Sequence, residues 1–136
     1  MNIMLKRDAT TYGGRNGVIK DMESGLELSL SKPVEMGGKK EFGSNPEELF
    51  SAGYSSCFAG SLEYLLNVEQ VAYEGIEVKV TTNLLADPKT GFSFQIVIAA
   101  KVLGVTKEVE KSFIEKAYAF CPYSKAIRGN VDVLFV

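Results

Sequence analysis

Along this chain the hydrophobic positions switch between a period of two and a helical period, and the switches lay out the elements. Leu26-Glu27-Leu28-Ser29-Leu30 alternates apolar and polar residues, as a half-buried strand does. Ahead of it, Gly13-Gly14-Arg15-Asn16-Gly17 contains Asn-Gly, a hairpin signal. Residues 32–44 hold Pro33, Gly37-Gly38, Lys39, Lys40 and Gly43 and read as a loop. From 49 to 62 no charge occurs and every face is apolar or small, which predicts a helix buried all round rather than one lying on a surface. Its start is well marked. Asn45 suits the N-cap, Pro46 the first helical position, and Glu48 completes a capping box, with Glu47 and Glu48 at the positive end of the dipole. The predicted span is 45–67. Within it Gly53, Cys57 and Gly60 form a stripe of small residues that would let another backbone approach closely.

The second half returns to strands. Ile76-Glu77-Val78-Lys79-Val80 alternates cleanly within 75–86, residues 92–103 form another β-rich run, and Asp87-Pro88-Lys89-Thr90-Gly91 makes a turn between them. Thr106 caps a second helix whose inner face is Val109, Phe113, Ala117 and Phe120/Cys121. Pro122 ends it, because the residue before a proline is steered away from helical dihedrals. An alternating strand spans 130–136. The predicted class is α+β, antiparallel strands with one central and one amphipathic helix. A single domain over 1–136 is expected: N-terminal strands and loop over 1–44, the central helix over 45–67, and the remaining strands and second helix over 75–136.

Composition changes little in this picture. Of 136 residues, 46% are hydrophobic and 24% charged, ordinary for a soluble globular protein. A net charge of -2 provides no general attraction for nucleic acid or an anionic membrane, so neither is expected as a partner. Residues 1–8 hold no apolar run long enough for a signal peptide, and 49–62 is shorter than the ~18 residues of a membrane span, so a cytoplasmic location is the expectation. In that reducing compartment a disulfide would be transient.

The chemistry is narrowed by what is missing. The chain has no histidine and two cysteines, Cys57 and Cys121. Imidazole-assisted nucleophiles are therefore excluded, and two cysteines alone do not make a zinc site; no metal and no cofactor is expected. Two inward-facing thiols suit redox chemistry through sulfenic acid and disulfide, although either cysteine alone also fits as a small apolar filler. A thiol buried in an apolar helix ionises poorly. Cys57 lies eleven residues past Pro46, roughly 16 Å along the axis, beyond reach of the helix dipole. A reactive Cys57 thus needs a cation. One guanidinium at about 4 Å supplies about 4 kcal/mol before desolvation is subtracted. Arg15, in its glycine-rich turn, is the candidate, with Glu47 as the carboxylate to hold it and Arg128 as a weaker rival cation. Singly, Arg15 also reads as a solvated turn residue and Glu47 as a first-turn charge.

Four segments, in order, resemble the organic hydroperoxide resistance proteins, a branch of the OsmC/Ohr family. They are Tyr12-Gly13-Gly14-Arg15-Asn16-Gly17, residues 43–50, Ala52-Gly53-Tyr54-Ser55-Ser56-Cys57-Phe58, and Cys121-Pro122-Tyr123-Ser124 with Arg128-Gly129-Asn130. The resemblance covers nearly the whole chain. Ser56, Lys125 and Ile127 depart from the family's usual residues, and Lys125 is similar to the OsmC branch. The resemblance implies an intertwined homodimer with antiparallel sheets wrapped around long central helices. It implies a thiol peroxidase with Cys57 peroxidatic, Cys121 resolving, Arg15 activating and Glu47 holding the arginine. Organic hydroperoxides are the implied substrates, and the implied reductant is a dithiol, a lipoylated protein or dihydrolipoamide. Phe50, Phe58 and Phe120 are the expected lining of an apolar pocket for the R group of ROOH. The same resemblance leaves an OsmC-branch peroxidase of broader peroxide range as an alternative, and the residues themselves leave a redox-sensing or small-ligand-binding protein without turnover.

Overall fold

A computed structural model of the protein describes residues 1–39 and 41–136; Lys40, in the expected 32–44 loop, lies outside the described residues. The chain divides into two compact units, 1–46 and 47–136.

The first unit is a small antiparallel sheet of β1 (Thr10–Tyr12), β2 (Val18–Lys20) and β3 (Glu27–Ser29), in that order. The Asn-Gly hairpin forms, with Tyr12 opposite Val18 across a turn at 13–17. Two of its glycines are required by geometry. Gly13 has φ +86°, and a Cβ on Gly17 would lie 2.2 Å from the Tyr12 carbonyl oxygen. The Gly17 N–H closes the turn on the Gly14 carbonyl at 2.9 Å, and Asn16 Oδ1 accepts from the Lys32 N–H at 2.8 Å. Among its described residues the expected 32–44 loop contains a 3-10 turn at Val34–Met36, and Ser44 forms a parallel bridge with Leu30.

The second unit is built on α1 (Pro46–Val68). This helix buries Tyr54, Phe58, Ser61, Leu62 and Leu66, one stripe at helical spacing. Ala52, Ser56, Gly60, Glu63 and Asn67 on other faces are exposed, so the expected burial all round is not achieved within the single chain. The sheet and second helix of one unit cover only one side of a cylinder. The sheet comprises β4 (Gly75–Asp87), β5 (Gly91–Leu103) and β6 (Asp132–Phe135), ordered β4-β5-β6. β4 and β5 pair from Gly75↔Leu103 to Asp87↔Gly91, and Asp87 Oδ1 accepts from the Lys89 and Thr90 N–H groups at 2.8 Å each.

Helix α2 (Lys107–Phe120) starts where Thr106 accepts from the Val109 N–H at 3.3 Å, and buries Phe113 and Ala117. Pro122 halts it as expected, then opens a third helix, α3 (Pro122–Ile127), which the sequence pattern does not predict. Proline cannot continue α2, yet its fixed φ suits a first helical position. One expectation is corrected here: β6 runs parallel to β5, Gln95↔Asp132 to Ile98↔Phe135. The chain leaves β5, crosses through α2 and α3, and returns in the same direction, the connection parallel neighbours require. The core joins the α1 stripe to Val80, Ile96, Ile98, Val102, Phe113, Ala117 and Cys121.

Candidate active site

Cys57 lies midway along α1, half-buried, and Cys121 is fully buried at the junction of α2 and α3. Both are free thiols. Their sulfurs are 3.5 Å apart, close enough for the two thiols to share a hydrogen bond. The local chain explains the approach. Phe113 and Ala117 seat α2 in the core at four-residue spacing, and Cys121 continues that stripe before ψ 126° turns the chain into α3. The remaining gap to a disulfide's bond length is about 1.5 Å. Two reduced sulfurs at this separation can close with small adjustments.

Three residues that sequence reasoning gave no role surround the pair. Tyr54, one turn before Cys57, shares a hydrogen bond of 2.8 Å with Ser124, and both side chains are fully buried. The Tyr123 ring stacks on Tyr54 with centroids 5.7 Å apart and an interplanar angle of 24°. Its hydroxyl end also comes close to the backbone of α1: a Cβ on Gly53 would come 2.5 Å from the Tyr123 hydroxyl oxygen. Gly53 thus receives a close approach, as its place in the small-residue stripe predicted, but from a ring. Gly60, whose added Cβ would meet nothing within 4 Å, does not. The signal for Tyr54 and Ser124 was available, since a hydroxyl in an otherwise apolar stretch needs a partner.

Electrostatics within this unit work against ionisation of Cys57. Burial pushes its thiol up, a backbone hydrogen bond from Tyr123 opposes this, and Cys121 adds to the upward push. Burial likewise pushes the Tyr54 phenol up, against its hydrogen bond to Ser124.

The other expected site residues are placed as follows. Arg15 is half-buried in the 13–17 turn of the first unit. Glu47, in the first turn of α1, lines a cavity of about 500 Å³ with Leu84, Phe92, Phe94 and Val131 among its walls. The rival cation, Arg128, donates to the Tyr118 carbonyl at 2.9 Å and lies 5.3 Å over the Tyr118 ring. The three phenylalanines sit in three settings. Phe50 packs against Phe94 at 5.3 Å and against Tyr54 and Tyr123 at 6.1 Å. Phe58 is wholly enclosed in the core. Phe120 is exposed, stacked on Tyr64 at 5.2 Å, with the Lys125 ammonium 5.7 Å from its ring.

The model of the OsmC family, described as OsmC-like protein, matches residues 37–135. The chain belongs to the OsmC/Ohr family. Among its relatives, an organic hydroperoxide resistance protein-like 2 of Staphylococcus epidermidis is 39% identical over 97% of this chain and 94% of the relative. An organic hydroperoxide resistance protein of Xanthomonas axonopodis pv. citri is 34% identical over 96% of this chain and 92% of its own length. The crystal structure of an organic hydroperoxide resistance protein OsmC, a predicted redox protein from Legionella pneumophila, superposes with a TM-score of 0.93. It is 35% identical, covering 98% of this chain and 97% of that one. The fold of this OsmC/Ohr chain is therefore that of solved Ohr proteins over almost its entire length, with β6 and both long helices included. No helix among its described residues is long and apolar enough to cross a membrane.

Proposed function

We propose that this protein is a cysteine-based peroxidase that reduces organic hydroperoxides to alcohols, using Cys57 as the peroxidatic and Cys121 as the resolving residue. The observation that carries the reading is the 3.5 Å separation of two free sulfurs, one half-buried and one fully buried, in a chain of the OsmC/Ohr family. Relatives named for organic hydroperoxide resistance support the substrate class.

The Cys57 thiolate attacks the distal oxygen of ROOH, the O–O bond breaks, and the alcohol leaves after taking a proton. Cys57 becomes a sulfenic acid. The Cys121 thiol condenses with it, releasing water and leaving a Cys57–Cys121 disulfide before further peroxide arrives. A dithiol, with lipoyl groups as the proposed reductant, restores both thiols by exchange.

Burial raises the cost of the thiolate, so the reading needs a cation. Arg15 is the proposed source, stabilising both the thiolate and the charge that develops across the O–O bond, with Glu47 orienting the guanidinium. Phe50, beside Tyr54 and Tyr123, is the phenylalanine best placed for the apolar end of the substrate near the sulfurs. The working unit is proposed to be a cytoplasmic homodimer. The uncovered small-residue face of α1, with Ala52, Ser56 and Gly60 exposed, supports close packing of a second copy there.

Replacing Cys57 by Ser tests the assignment. The variant is expected to lose all dithiol-dependent consumption of cumene hydroperoxide. Wild-type rates in Cys57→Ser protein would overturn it.

A further inference from the structure

Tyr54 and Ser124 are both fully enclosed, and their hydroxyls take no part in the peroxide chemistry proposed above. Their oxygens are 2.8 Å apart. Burying two hydroxyls costs desolvation twice, and a phenylalanine facing an alanine would fill nearly the same space with no such cost. The placement of the bond gives that expense a purpose. Tyr54 stands three residues before Cys57 on α1, and Ser124 three residues after Cys121 on α3. The bond therefore ties the helix bearing one sulfur to the segment bearing the other, alongside the 3.5 Å gap between them. The Tyr123 ring, stacked on Tyr54 and close to Gly53 at its hydroxyl end, reinforces the same junction. At Cys121 the chain is extended, with ψ 126°, so α3 is joined to α2 by one non-helical residue and depends on such ties for its position.

We propose that the buried Tyr54–Ser124 hydrogen bond is a positioning device that keeps Cys121 beside Cys57 and so determines how readily the two sulfurs join. The Tyr54 and Ser124 hydroxyls are taken up by each other, and they act through the cysteines. Forming a disulfide requires the sulfurs to approach to about 2.05 Å, and a drifting α3 lowers the effective concentration of one thiol at the other. The consequence for turnover rests on the peroxidase reading: a slower condensation of Cys57 sulfenic acid with the Cys121 thiol leaves longer exposure to a second peroxide. The effect on the disulfide equilibrium does not depend on that reading.

The test uses glutathione redox buffers. Two protein thiols and one glutathione disulfide exchange to give the Cys57–Cys121 disulfide and two glutathione thiols, and alkylation with intact-mass analysis measures the ratio. Wild type, Tyr54→Phe, Ser124→Ala and the double variant are compared, each with its thermal midpoint. Each single variant is expected to shift the equilibrium toward the dithiol by roughly three- to tenfold. The double variant is expected to remain shifted by no more than the larger single effect. Its thermal midpoint should recover toward wild type, because no orphaned hydroxyl is left. A bond that only stabilises the fold would move the midpoint and leave the equilibrium untouched. Wild-type equilibria in the variants, or a double variant that regains both properties, would overturn the proposal. Should a single variant fail to fold, the double variant decides. Disulfide formation without hydroperoxide turnover in wild type would instead count against the peroxidase reading alone.

Discussion

Replacing Cys121 by Ser removes the internal thiol and little else, since the side chains are nearly isosteric. In wild type that thiol is fully buried and its sulfur is 3.5 Å from Cys57 Sγ. Well-oriented intramolecular groups reach effective molarities far above 1 M. Even a conservative figure of about 1 M exceeds external peroxide at about 1 mM by roughly a thousandfold, so resolution should precede overoxidation in nearly every cycle. Without Cys121 the sulfenic acid waits in a half-buried position. Intact-mass analysis after one equivalent and then a large excess of cumene hydroperoxide reads the outcome. The account expects wild type to lose about 2 Da as the disulfide, and Cys121→Ser to gain about 32 Da as Cys57 sulfinic acid. Sulfinic acid accumulating equally in both proteins would refute the reasoning, because proximity would then offer no protection.

Three further outcomes are expected. Arg15→Gln should move the pH profile of Cys57 alkylation to the alkaline side of wild type, since a buried thiol loses its proposed counter-charge; superimposable profiles would remove Arg15 from the mechanism. Leu62→Ala, at a fully buried position in the α1 stripe, should cost about 3 kcal/mol of stability in urea denaturation, and a loss below about 1 kcal/mol would contradict the packing described. The Val102 N–H, donating to Glu110 Oε2 at 2.9 Å, and then Lys107 hold the Glu110 carboxyl below its usual range. Its stabilisation is therefore present above the ordinary carboxylate pKa and lost as pH falls through the lowered value. Glu110→Gln should flatten that part of the acid limb, by on the order of 1 kcal/mol; an unchanged urea midpoint-versus-pH curve would contradict it.

What the sequence reveals depends on whether a signal is local. Pro46, Glu47 and Glu48 placed the start of α1, and Asp87 with Gly91 placed the β4–β5 turn, because capping and turn chemistry act over a few residues. The direction of β6 was not legible: Asp132-Val133-Leu134-Phe135 alternates identically whether its neighbour runs parallel or antiparallel. Helix α3 is not legible because a proline that stops one helix also suits the start of the next, and the sequence alone does not separate the two roles of Pro122. Both cysteines were singled out from composition alone. Their separation, a long-range consequence of α2 packing on the core, could not be. The Tyr54–Ser124 bond joins residues 70 positions apart, a pairing that only the fold can make.

The central claim is that Cys57 turns over hydroperoxides at the expense of a dithiol. Steady-state assays with dihydrolipoamide, comparing cumene hydroperoxide with hydrogen peroxide for wild type and Cys57→Ser, address it most directly. The account predicts sustained wild-type turnover, faster with the organic peroxide, and none in the variant. Absence of wild-type turnover with either peroxide, or equal rates in the two proteins, would contradict it.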